Sequence, residues 1–125
     1  MNPRILVSVI LLLLFVMEGC HRHQTVYHWG DYESALYQHY ANPAEVEPLL
    51  KSLRAIINRG ERKRNVPPGL YAEYGYLLFT MGRLKESIAL FAKEKRTWPE
   101  STLLMEKLIR ESEKRLELIE ETPNS

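Results

Sequence analysis

Cys20 is the only cysteine in the chain, and two histidines, His21 and His23, follow it directly. A thiolate and two imidazoles are metal-ligand types. His21-x-His23 still lacks the further ligands that a closed tetrahedral site needs, so the segment reads as solvated tether and no metal is expected. The sequence carries no HExxH, CxxC, G-x-S-x-G or P-loop pattern. Ser34, Ser52, Ser87, Ser101 and Ser112 fall on helical patterns with no histidine placed as a base, which leaves nucleophilic catalysis without support. Glu45/Glu47 and Glu120/Glu121 fit a helix start and a solvated tail better than a glycosidase pair. Arg62-Lys63-Arg64 is a cationic run of the kind that meets lipid headgroups or phosphates, but it reads better as an exposed loop of mixed charge. The tyrosines are more informative: all seven lie between Tyr27 and Tyr76. Tyrosine is enriched at protein interfaces. Some of these rings must fill the core, and Tyr32, Tyr37, Tyr40, Tyr71 and Tyr74 are the candidate partner-binding residues.

What surrounds Cys20 gives it a different chemistry. Met1 to Arg4 is a short basic start, and Ile5 to Met17 is a 13-residue run with only Ser8 polar. At ~1.5 Å per residue that run reaches roughly 20 Å, short of a ~30 Å hydrocarbon core, and it suits the apolar core of a signal peptide. Val16-Met17-Glu18-Gly19-Cys20 follows, with a small residue directly before the cysteine. The arrangement resembles a bacterial lipoprotein box, although Glu18 stands where such boxes carry a small or apolar residue. The resemblance implies a diacylglycerol on the Cys20 thiol, cleavage before Cys20 and acylation of the new amine. It also accounts for an unpaired cysteine in an exported chain. His21 after the cysteine, in place of the aspartate that retains such proteins at the inner membrane, implies the outer membrane, with the periplasmic face favoured.

The remaining length bounds the fold. The chain has 125 residues, and without 1–19 it has room for one domain. A two-domain enzyme or a TIM barrel is excluded. Seventeen Lys+Arg against 16 Asp+Glu leave a charge of +1, which argues against a general nucleic-acid binder. Residues 21–29 have no sustained period and read as a tether that becomes ordered near Tyr27 and Trp29. The rest reads as five helices. Asp31 is a candidate N-cap for the first, and Asn42-Pro43 breaks it. Pro48 opens the second, whose stripe Leu49, Leu50, Leu53, Ile56 and Ile57 is stopped by Gly60, with Glu61 to Gly69 as a loop. The third runs over about Leu70 to Met81 and ends at Gly82. The fourth runs over about Lys85 to Arg96. Thr97-Trp98-Pro99-Glu100 fits a capping box for a fifth, amphipathic helix reaching Thr122-Pro123.

The third and fourth helices resemble a tetratricopeptide repeat. The matching residues are Tyr71-x2-Tyr74-Gly75-x2-Leu78, Gly82 in the turn, Ser87-x3-Phe91 and Pro99. Small residues at Gly75 and Ser87 would let the two helices approach. Thirty-four residues earlier stand Tyr37-x2-Tyr40-Ala41-x2-Ala44, Pro48 and Leu53-x3-Ile57, a degenerate copy cut short by Asn42-Pro43. The last helix would serve as the closing cap.

Taken together, the lipoprotein box, Tyr27-His28-Trp29-Gly30-Asp31-Tyr32, Asn42-Pro43 and Pro67-Pro68-Gly69 before an aromatic helix resemble a family of short bacterial lipoproteins. Its members are encoded beside lipoproteins similar to the curli-export channel CsgG, and it has no established activity or catalytic residues. The expected protein is therefore all-α, with about five helices in tetratricopeptide-like antiparallel pairs. Residues 1–19 form the signal peptide, 20–30 the lipidated tether, 31–121 the helical domain and 122–125 a tail. The expected role is a non-catalytic adaptor or assembly factor at the outer membrane, without cofactor beyond the lipid on Cys20. Its expected partner is an envelope protein, by resemblance a CsgG-like lipoprotein. The alternative is a structural lipoprotein that binds membrane or glycan. A cell-wall enzyme would need a convergent polar cleft that the sequence does not display.

Overall fold

The computed structural model describes residues 27–121, all in helices and the turns between them. The helices are α1 (Tyr32–Ala41), α2 (Glu47–Lys63), α3 (Leu70–Thr80), α4 (Leu84–Thr97) and α5 (Thr102–Glu121), with a 3-10 turn (Pro99–Ser101) before α5. No helix among the described residues is long and apolar enough to cross a membrane. The expected signal peptide, Cys20, the first part of the tether and the tail lie outside the described residues.

The side-chain pairs give the helix directions. Lys95 meets Glu106, Ser87 meets Ser112, and Lys85 meets Glu120. As the number rises on α5 it falls on α4, so the two are antiparallel. Gly69 at the start of α3 meets Glu94 near the end of α4, and Gly75 meets Phe91, again antiparallel. Glu61 bonds Tyr71 and Arg54 bonds Tyr74, which sets α2 against α3 in the same manner. Two clusters form the core. One joins α1, α2 and α3 through Ala35, Leu49, Leu53, Ile56, Leu70, Tyr71 and Leu78. The other joins α3, α4 and α5 through Phe79, Leu84, Phe91 and Met105. Trp29 already packs on the first cluster and lies 5.4 Å, ring to ring, from Tyr32.

Two helix ends show how local chemistry sets the turns. At the end of α3 the Gly82 N–H donates to Phe79 O and the Arg83 N–H to Leu78 O, with Gly82 at φ +76°. This is the paired-bond termination that a left-handed glycine supports. At the end of α2 the same pair recurs, Arg64 N–H to Glu61 O and Asn65 N–H to Gly60 O. Here the left-handed residue is Arg64, at φ +53°.

The expected stop at Gly60 is therefore corrected: α2 continues to Lys63. Gly60 is needed for closeness instead, since a Cβ there would stand 2.8 Å from the Val66 Cα. The expected capping box at Thr97 is also corrected. Thr97 is the last residue of α4 and its hydroxyl donates to Lys93 O, and the 3-10 turn that follows has no side-chain cap. Asp31 does sit at the N-cap of α1, with no side-chain cap bond.

The small residues of the repeat-like stretch divide between two neighbours. Gly75 admits Phe91, as its spacing predicts: a Cβ there would lie 2.9 Å from the ring. Ser87 instead faces α5, 3.4 Å from the Ser112 hydroxyl, while bonding back to Leu84 O at 2.7 Å. In the earlier copy, Leu53 and Ile57 are buried, but Tyr37 and Tyr40 are exposed where Tyr71 and Tyr74 are buried.

Candidate interaction surfaces

The C-terminal end of α2, the loop after it, the start of α3 and the α4–α5 turn enclose a cleft of about 470 Å³. Its lining includes Glu61, Arg64, Asn65, Tyr71 and Trp98. Glu61 is the hub of the polar network. It accepts the Tyr71 hydroxyl at 2.9 Å and Lys93 Nζ at 2.8 Å. Those two donors, Lys93 first, hold its pKa below the usual carboxylate range. Lys93 also lies 5.4 Å from the Tyr71 ring centroid. Burial, reinforced by the Glu61 carboxylate, pushes the Tyr71 phenol up, so it stays a neutral donor.

With Glu61 neutralised by Lys93, the cleft's remaining charge is the Arg64 guanidinium. Its backbone conformation costs roughly 1–2 kcal/mol for a residue with a Cβ. The indole Nε1 of Trp98 is buried with no hydrogen-bond acceptor among the described residues.

Below the cleft, α4 sends a carboxylate to the start of α3. Glu94 is 2% exposed, and its Oε1 accepts the Gly69 N–H at 2.7 Å. The Tyr71 and Ala72 N–H groups of the first turn also favour its charge, but burial outweighs them and raises its pKa. The open N-terminus of α3 thus takes its anionic partner from another helix. Sequence reasoning passed over Glu94. The signal was present, since Ser87, Phe91 and Glu94 recur at the i, i+4, i+7 spacing of one buried stripe.

The five candidate tyrosines fall into two groups. Tyr32 donates to both oxygens of Glu73, at 2.8 and 3.1 Å, and burial followed by that bond raises its pKa to about 12. Tyr71 is buried in the Glu61 network. Tyr74 is buried, and its hydroxyl accepts Arg54 Nε at 2.9 Å and Nη2 at 2.7 Å. These three tie α1, α2 and α3 together. Tyr37 and Tyr40 are 76% and 77% exposed on α1, three residues apart and so on one side of the helix. Cys20, the candidate lipidation site, lies outside the described residues. No group of three or more metal-binding side chains occurs among the described residues.

Comparison with known proteins returned no match among curated proteins and none among solved structures. A family model does match residues 26–108, from just before Tyr27 into α5, and so spans the cleft, the buried Glu94 and the exposed pair on α1. The chain belongs to the family described as a domain of unknown function, DUF4810.

Proposed function

We propose that the protein is an outer-membrane lipoprotein, anchored through Cys20, that acts as a non-catalytic adaptor for another envelope protein. The observation that carries the reading is the Tyr37–Tyr40 pair. Two large rings on one side of α1 stand 76% and 77% exposed, while Tyr32, Tyr71 and Tyr74 are buried or hydrogen-bonded. Tyrosine offers wide contact area at low entropic cost, and interface hot spots are rich in it. The partner proposed is a CsgG-like lipoprotein, a choice that comes from the sequence resemblance.

The test is photocrosslinking in intact cells from a benzoyl-phenylalanine placed at Tyr37 or Tyr40. An envelope lipoprotein recovered from both positions, and not from Glu111 on the exposed side of α5, supports the reading. No envelope protein from either position overturns it. Blocking lipoprotein signal peptidase in the same cells should leave a heavier, uncleaved chain. Unchanged mobility would remove the Cys20 anchor from the proposal.

A further inference from the structure

One end of the helical body collects cations that have no carboxylate partner among the described residues, together with exposed leucines and the entry of the chain. The helix directions bring together the C-termini of α2 and α4 and the N-termini of α3 and α5, as the Glu61–Tyr71, Gly69–Glu94 and Lys95–Glu106 pairs show. The chain joins the body at this end. Gly30 lies against Ile56, with a would-be Cβ 4.0 Å from Ile56 Cγ1, and Tyr32 bonds Glu73 in the first turns of α3. Arg62 to Arg64 stand two turns beyond Ile56, roughly 9–12 Å along α2.

Exposed at this end are Arg62 and Lys63 on α2, Arg64 just after it and Arg96 on α4, none with a carboxylate partner among the described residues. Beside them α5 begins with Leu103, 81% exposed, and Leu104, 57% exposed. Arg64 shares the cleft with Trp98, five residues before Leu103.

From this geometry we infer that this end of the body is a membrane-contact surface, in which Arg62, Lys63, Arg64 and Arg96 bind the anionic headgroups of phospholipids and Leu103 and Leu104 enter the interface. Basic side chains beside exposed apolar ones are the composition that holds a protein on an anionic bilayer, with each Lys or Arg near the surface worth about fivefold in partitioning. The reach of the chain agrees, a step that rests on the proposed anchor. Tyr27 is seven positions beyond Cys20, at most about 25 Å fully extended, so a lipid on Cys20 keeps this end close to the bilayer. Tyr37 and Tyr40 lie in the later half of α1, which runs away from this end.

The test uses the full chain in phosphatidylcholine vesicles with and without phosphatidylglycerol, with a nitroxide on the lipid headgroup as quencher. Trp29→Phe leaves Trp98 as the sole tryptophan. Its emission should be quenched strongly in anionic vesicles and weakly in neutral vesicles, at raised salt, or in the Arg62→Glu/Lys63→Glu/Arg96→Glu variant. A tryptophan placed at the exposed Tyr76, with Trp29 and Trp98 both changed to phenylalanine, should be quenched little in all of them. Equal quenching at the two positions, or quenching of Trp98 that ignores both lipid charge and salt, overturns the inference. The salt arm needs no substitution, so a variant that fails to fold does not remove the test. Mass analysis of Cys20 from cells separates the two readings. A chain without lipid whose Trp98 is still quenched on anionic vesicles keeps the surface and loses the anchor. A lipidated chain with charge-independent quenching keeps the anchor and loses the surface.

Discussion

A carboxylate buried among apolar side chains is tolerated only where something holds it, and Glu94 is held by the open end of α3. Its second oxygen has no hydrogen-bond partner among the described residues, and burial raises its pKa. The native state therefore keeps this proton to a higher pH than the unfolded chain does. Stability from protonation is fully present below the ordinary carboxylate value near 4.3 and is lost as pH rises through the raised native value. Glu94→Gln, which keeps an acceptor for the Gly69 N–H but cannot ionise, should lack this dependence. Thermal unfolding of the two proteins should show wild type gaining on the variant as pH falls from neutral to about 5. Glu73 is likewise raised by burial, and because it is present in both chains the comparison isolates Glu94. Glu94→Leu should lose about 1 kcal/mol, because the part-buried Gly69 N–H would lose its acceptor. A glutamate on an apolar stripe was readable as an oddity. Its partner, a backbone N–H 25 residues away, depends on the tertiary fold.

At the scale of elements, hydrophobic spacing located all five helices, and the errors concern what ends them. Gly82 reads correctly as a stop, since nothing approaches it and its backbone is left-handed. Gly60 carries the same residue type but serves the contact with Val66, a segment that packs on it only after the chain turns. Thr97 matches a capping pattern, yet its hydroxyl satisfies the end of its own helix instead. The pattern likewise places Ser87 on a buried face without saying which neighbour it meets, because α4 lies between two helices. Gly75 allows a sharper expectation. Alanine is ordinarily better than glycine inside a helix by about 0.5–1 kcal/mol. Here the added methyl would meet Phe91 at 2.9 Å and the Leu90 Cβ at 3.2 Å, with Phe91 fully buried. Gly75→Ala should therefore destabilise by about 1–2 kcal/mol net, read from the urea midpoint. Combining it with Phe91→Leu should cost less than the sum of the two single changes.

For the molecule as a whole, the body is unevenly secured. α3, α4 and α5 share the second core cluster, whereas α1 buries only Ala35 fully and relies on Tyr32, Leu36 and the Tyr32–Glu73 bond. Local stability follows buried apolar contact. Amides of α1 should exchange with deuterium before those of α3 and α4, and Tyr32→Phe should speed that exchange further while leaving α4 unchanged. That helix also carries Tyr37 and Tyr40, so the proposed docking element is the one most easily reshaped by a partner. The repeat-like spacing marked the earlier copy as degenerate at Asn42-Pro43 but did not say which of its rings would face solvent. Tyr37 and Tyr40 are exposed because α1 stands at the end of the described stack, whereas Tyr71 and Tyr74 lie on α3 between α2 and α4.

The order of packing has a kinetic consequence. From α2 onward, each helix lies against the one that precedes it in the chain, and three residues suffice to turn α3 into α4. Few contacts have to wait for remote segments to find one another. Helical chains of this low contact order reach the native state in microseconds to milliseconds. Assembly can spread outward from the α3–α4 hairpin, with α1, the first of the described helices, closing onto a surface that α2 and α3 have already formed.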